Sequence, residues 1–212
     1  MSQPSDAIRV ALTFDAEHPS RPHCSPGAHE QVLDHLALAG VRASFFVQGR
    51  WAKAYPDTAR RMVSEGHLIG NHSHYHARMT LLSDDGIRTD VAAAEDAIAQ
   101  ITGTSPRPWF RCPFGDGSDD QRVLDALEGL GYRDVFWDVD PEDWNQERTT
   151  PDVVSAVLEG IAAHGDGAVV LFHTWPATTA EALPVVLRSL EDQGTRFALL
   201  HELALGTRPT RS

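Results

Sequence analysis

The sequence predicts a parallel α/β fold, and three observations point there. Seven short runs rich in β-branched and aromatic residues alternate with six longer stretches of helical pattern. The short runs are nearly continuous in apolar residues, as expected of strands covered on both faces. The 212 residues, 42% hydrophobic and 23% charged, have the size and composition of one ordinary globular domain. No repeat, low-complexity tract or Pro/Ser linker divides the chain, so residues 1–212 read as a single domain. A barrel and a doubly wound sheet both satisfy this pattern.

In chain order, the first strand run is Ile8–Phe14 (IRVALTF), followed by a helix over Ala28–Ala39. Arg42–Val47 precedes a helix over Pro56–Ser64, and His67–Asn71 precedes one over Gly86–Ile101. That third helix is the clearest, because Ile87, Val91, Ala94, Ile98 and Ile101 fall on one face and Gly103 supplies a stop. Trp109–Arg111 leads to a helix over Asp120–Leu130, and Asp134–Trp137 to one over Thr150–Ala163. Ala168–His173, a helix over Thr179–Asp192 and the run Arg196–Leu200 complete the series.

Composition narrows the function. With 18 Lys+Arg against 30 Asp+Glu the net charge is −12, which argues against a nucleic-acid binder. No apolar run approaches the roughly 18 residues of a membrane-spanning helix, so membrane insertion is not expected. The N-terminal stretch MSQPSDAIRVALTFDAEH lacks a basic segment followed by a long apolar one. A cytoplasmic monomer is therefore the expectation, with the cell envelope or secretion as the alternative. Two cysteines, Cys24 and Cys112, build neither a disulfide framework nor a cysteine-rich zinc site, and buried small side chains are their default. Asp116, Asp119 and Asp120 read as loop and helix-cap residues, and Trp109, Trp137 and Trp175 as core packing, with a place in the cleft open to Trp175.

In both candidate architectures catalytic groups gather at the C-terminal ends of the strands. Five strand ends carry ionisable or polar clusters: Asp15-Ala16-Glu17-His18, Asn71 through His76, Arg111 through Gly115, Asp138 through Trp144, and His173. His72 and His76 are four apart, so on a helical turn both rings would face one way and share a metal. The spacing alone is weak in a chain with 11 histidines. A carboxylate from the first strand end would complete a set of two histidines and one carboxylate.

Five separated segments resemble the motifs of the polysaccharide deacetylase family, the carbohydrate esterases that share the chitooligosaccharide deacetylase domain. Thr13-Phe14-Asp15 resembles the first motif, TFDDG, and Gly70-Asn71-His72-Ser73-His74-Tyr75-His76 the second, H-[ST]-x-x-H. Arg111-Cys112-Pro113-Phe114-Gly115 is similar to R-x-P-Y, Asp140 through Trp144 to D-x-x-D-W, and Leu171-Phe172-His173 to L-x-H. The resemblance implies a distorted seven-stranded (β/α) barrel that removes N-acetyl groups from N-acetylglucosamine-containing glycans, of chitooligosaccharide or peptidoglycan type.

It also implies roles. Asp15 is the general base, His72 and His76 are metal ligands, Arg111 holds Asp15, and the Phe114 backbone N–H helps bind the oxyanion. His173 is the general acid, Asp143 orients it, and Trp144 and Leu171 line the acetyl pocket. The implied cofactor is Zn2+, with Co2+ or another divalent metal as alternative, and the implied partner is a glycan or a small acetylated sugar.

One departure stands out. The family's second aspartate, a metal ligand, is Ala16 here. Glu17 is the expected replacement. The alternatives are Asp15 itself, a histidine such as His18, or a degraded site. Three rival functions stay open: de-O-acetylation of acetylated xylan, hydrolysis of a small N-acyl or amide metabolite, and non-catalytic sugar binding.

Overall fold

A computed structural model describes residues 7–18 and 24–204. Seven parallel strands carry the fold: β1 (Arg9–Ala16), β2 (Ser44–Val47), β3 (Leu68–Asn71), β4 (Trp109–Phe110), β5 (Arg133–Asp134), β6 (Ala168–His173) and β7 (Arg196–Phe197). The helices are α1 (Ala28–Ala39), α2 (Gly49–Ala54), α3 (Pro56–Ser64), α4 (Asp84–Thr102), α5 (Gln121–Gly129), α6 (Thr150–His164) and α7 (Ala177–Asp192). α2 went unpredicted because six residues span too few turns to show a periodicity.

The strand order is β5-β4-β3-β2-β1-β6, and the segment after β5 brings the ends together. Val135 N–H still donates to Phe110 O of β4 at 2.7 Å. Three residues later, Asp138 N–H donates to Val169 O at 2.8 Å, and Leu171 N–H of β6 donates to Val139 O at 2.9 Å. Residues 133–139 therefore change partner from β4 to β6 within one short stretch. This is why the strand predicted over Asp134–Trp137 is regular only at Arg133–Asp134. The distortion continues at β7, which pairs with Arg9 and Val10 on the edge of β1 whose upper half, from Thr13, belongs to β2. The result is the distorted seven-stranded (β/α) barrel.

The pleat of β1 decides what faces the interior. Val10, Leu12, Phe14 and Ala16 pack outward among Val32, Leu33, Leu36, Leu183 and Val186 of the helical layer. Phe14 stacks between Phe45 and Phe172, with ring centroids 5.1 and 5.3 Å away. Ala11 faces inward with Phe46, Val135 and Val169, so by the two-residue alternation Thr13 and Asp15 face inward too.

Local chemistry ends the helices where the strand-end loops need to begin. Ser83 caps α4 by accepting from Gly86 N–H at 3.1 Å, and Gly103 closes it at φ 72°. Asp120 caps α5 through Val123 N–H at 3.1 Å, and Thr149 and Asp152 form a reciprocal cap on α6.

Candidate active site

Asp15 lies at the end of β1, directly paired with His173 of β6. Its Oδ1 accepts from Arg111 Nη1 at 2.8 Å, and both side chains are buried. Arg111 is itself held by donation from Nε to Val135 O at 3.0 Å and by stacking 4.1 Å above the Phe46 ring. This fixed contact leaves Asp15 Oδ2 turned toward His72 Nε2, 3.5 Å away.

His72 and His76 do not sit on a helical turn, as the four-residue spacing had suggested. They lie in the loop after β3, where Ser73 and His76 adopt left-handed φ of 63° and 59°. The loop is pinned at several points. Asn71 Oδ1 accepts from Ser73 N–H at 2.9 Å, and Ser73 Oγ accepts from His76 N–H at 2.9 Å. Asp90 of α4 accepts from His74 N–H at 2.8 Å and from Tyr75 N–H at 3.1 Å. The His74 ring packs against Gly49 of α2 and takes no part in the cluster.

Glu17, His72 and His76 converge, with their ligating atoms all within 4.8 Å of one another. His72 Nε2 is 3.1 Å from His76 Nε2 and 3.4 Å from Glu17 Oε2, which also contacts His76 Nε2. His72 Nδ1 lies 2.9 Å from Arg111 O. A carbonyl only accepts, so Nδ1 carries the proton of the neutral ring and Nε2 presents its lone pair. Burial holds His76 down to about 4, a neutral imidazole at ordinary pH. Burial opposes charge on Glu17 as well, but contacts from His18, His72 and His76 outweigh it and hold the carboxylate well below its usual range. Burial also works against charge on His72, yet Asp15 and Glu17 raise its pKa. Glu17 Oε2 has no hydrogen-bond donor despite its burial. An orphaned carboxylate oxygen facing two imidazole nitrogens fits a zinc-like divalent cation.

Ala16 makes no approach to this cluster. It is fully buried in the outward-facing core, and Glu17 is the next position that the pleat turns inward.

Beside Asp15, at the end of the adjacent strand β6, His173 Nδ1 meets Asp143 Oδ1 at 2.7 Å. Asp143 Oδ2 accepts from His173 N–H at 2.7 Å and from Thr179 Oγ1 at 2.6 Å, so both carboxylate oxygens are engaged. Burial acts against the imidazolium, but Asp143, followed by Glu17 and Asp15, raises the His173 pKa to about 9. Nε2 is left for the cavity.

That cavity measures about 430 Å³ and includes Asp15, Glu17, His173 and Leu171 in its lining. Phe114, at φ 60°, places its half-exposed ring 4.4 Å from that of His76. Trp144 is 46% exposed and also lines the cavity. Trp137, read from the sequence as core packing, lines it, and so does Trp175, for which the sequence leaves a place in the cleft open. Trp175 donates from Nε1 to Glu17 Oε1 at 3.2 Å. Its place two residues beyond His173 was the available signal, since that interval preserves strand parity. His18 was named only as a substitute ligand; its Nε2 lies 3.0 Å from Glu17 Oε1 instead. Cys24 and Cys112 are unbridged, and only Cys112 is fully buried. Asp116 accepts from Thr80 and Asp120 caps α5, as expected of loop and cap residues.

Known proteins resemble this chain in sequence and in fold. The polysaccharide deacetylase family matches residues 2–135. The peptidoglycan-N-acetylmuramic acid deacetylase PdaC of Bacillus subtilis is 34% identical over 194 residues, 92% of this chain and 38% of the relative. The peptidoglycan-N-acetylglucosamine deacetylase PgdA of Listeria monocytogenes is 35% identical over 195 residues, again 92% and 38%. The crystal structure of BA3943 from Bacillus anthracis, described as a CE4 family pseudoenzyme, superposes with a TM-score of 0.82 at 27% identity, covering 98% of this chain and 68% of that one. With its strand-end motifs assembled on one barrel and residues 2–135 matched, the chain belongs to the polysaccharide deacetylase family.

Proposed function

We propose that the chain is a metal-dependent hydrolase that removes N-acetyl groups from N-acetylglucosamine-containing glycans, releasing acetate and a free amine. One observation carries this: Asp15 and His173 project side by side from one register position, next to the Glu17–His72–His76 cluster. Amide hydrolysis needs a base for the attacking water and an acid for a poor amine leaving group, placed on opposite sides of the carbonyl.

Glu17, His72 and His76 would hold the cation, which when bound polarises water and lowers its pKa to about 7. Asp15 Oδ2 takes the proton from the attacking water while Arg111 keeps Oδ1 in place. The Phe114 backbone N–H donates to the oxygen on which negative charge develops, a contact of a kind worth about 3 kcal/mol. His173 delivers a proton from Nε2 to the nitrogen as the C–N bond breaks. Asp143 holds His173 in its donating form, and Leu171 and Trp144 confine the acetyl methyl.

Charge supports a neutral sugar. Asp140 lines the cavity, and the described lining includes no Lys or Arg. An N-acetylglucosamine unit adds no charge there, whereas the lactyl carboxylate of N-acetylmuramic acid would add an anion to a lining that already holds Asp15, Glu17 and Asp140. Likeness to a pseudoenzyme keeps non-catalytic sugar binding as the second reading. The convergence of base, acid and ligand cluster favours catalysis. Acetate release from chitooligosaccharides, peptidoglycan fragments, acetylxylan and N-acetylated monosaccharides, with added zinc or cobalt, separates these functions. Acetate from acetylxylan alone would instead support de-O-acetylation.

A further inference from the structure

We propose that Trp175 is the positioning residue for the Glu17 carboxylate, using its indole N–H to hold Oε1 so that Oε2 alone is presented to His72 and His76. The proposal rests on the reading of these three residues as cation ligands.

The two oxygens of Glu17 have different surroundings. Oε1 accepts from Trp175 Nε1 at 3.2 Å and lies 3.0 Å from His18 Nε2. Oε2 has no hydrogen-bond donor and faces the two histidines. The indole is suited to this division because its N–H is donor-only and never competes for the cation. Trp175 is itself fixed: it is buried, its ring centroid is 5.9 Å from that of His173, and its carbonyl accepts from Ser25 N–H at 3.1 Å. His18 is also anchored, since its backbone N–H donates to Gln48 Oε1 at 3.1 Å.

The need for such a device follows from Ala16. The carboxylate comes from one position further along the chain, just past the end of β1, and carries an extra methylene. Glu thus has one more torsion to immobilise than Asp, at an entropic cost that a preset hydrogen bond offsets. A bond that orients a ligating carboxylate typically changes metal affinity by about 10- to 100-fold.

The test is cobalt(II) titration of the metal-free full chain, followed by visible absorption, with no substrate present. Trp175→Phe keeps an aromatic ring but removes the donor. It is expected to bind cobalt about 10- to 100-fold more weakly and to alter the absorption band, because Glu17 is free to ligate through both oxygens. Trp175→Gln returns a side-chain N–H without an imidazole nitrogen able to ligate cobalt, and is expected to recover part of the affinity and the band. Wild-type affinity and spectrum in Trp175→Phe would overturn the proposal, provided Glu17→Ala fails to bind. Equal losses in both Trp175 variants, matched by equal drops in the metal-free melting temperature, would also overturn it and assign Trp175 to packing. A wild-type chain that binds no cobalt, or a Glu17→Ala variant that binds normally, would overturn the ligand reading and the proposal together.

Discussion

Asp15 of β1 and His173 of β6 occupy the same register position on adjacent parallel strands, and Thr174 N–H closes the pair by donating to Asp15 O at 3.1 Å. In a parallel sheet such partners project from the same face, so the two groups proposed as base and acid are set by backbone pairing rather than by flexible loops. The pleat extends this logic: Leu171, two residues before His173, lines the same cavity.

Asp15→Asn should remove the base while leaving the ligand cluster in place. Acetate release should fall by about 10²- to 10⁴-fold, the usual worth of a positioned base. Cobalt binding should persist. Single-turnover acetate release with a parallel cobalt titration checks both; loss of binding would show Asp15 to be a ligand.

Arg111 is the other half of a buried ion pair, with Asp15 Oδ1 2.8 Å away. Removing one partner strands the other charge, which typically costs about 3–5 kcal/mol. Arg111→Met should lower the denaturant midpoint accordingly, and an unchanged midpoint would remove the pair from the stability of the barrel.

The pH profile follows from His173. Its pKa is raised from 6.5 to about 9, so the protonated acid predominates below about 9 and is lost above it. Part of that rise comes from Glu17 and Asp15, whose charge a bound cation offsets, so cation binding should shift the basic limb of kcat/KM downward. Asp143→Asn removes the main raising partner and leaves burial, which lowers the pKa. The limb should move down toward or below 6.5, and a profile unmoved by Asp143→Asn would exclude His173 as the acid. The same linkage predicts that the His173–Asp143 contribution to stability is full below pH 6.5 and disappears as pH rises through about 9.

The fold was legible because seven apolar runs and their spacers carry both periodicities openly. The strand ends were legible because ionisable residues there are unusual. The turn to Glu17 in place of Ala16 was an expectation from the sequence; the geometric reason for the convergence of Glu17 with His72 and His76 is the pleat, which turns position 16 into the helical layer and position 17 inward. The long-range partnership of Trp175 with Glu17 was not legible, because a tryptophan after an apolar strand reads equally well as core. The partner change of residues 133–139 was hidden for a similar reason: β propensity marks an extended chain without naming its neighbour.

Asp140 predicts substrate charge. Asp140→Asn should raise turnover of N-acetylmuramic acid-containing fragments relative to N-acetylglucosamine oligomers, with kcat/KM ratios as the measure. Unchanged ratios would remove Asp140 from specificity.

Cation binding should also stabilise the fold. At about 1,000 times Kd, a ligand that binds only the native state adds about 4 kcal/mol. Chelation should lower the wild-type melting temperature and leave Glu17→Ala unaffected. A chelator effect of equal size in both would place the cation elsewhere.

The most direct measurement is acetate release from N-acetylglucosamine oligomers by the purified chain, metal-stripped and then reloaded with zinc or cobalt. The predicted result is release that disappears on stripping, returns on reloading, and is lost in Asp15→Asn. Sugar binding with no acetate from any acetylated substrate, whatever the metal, would contradict the account.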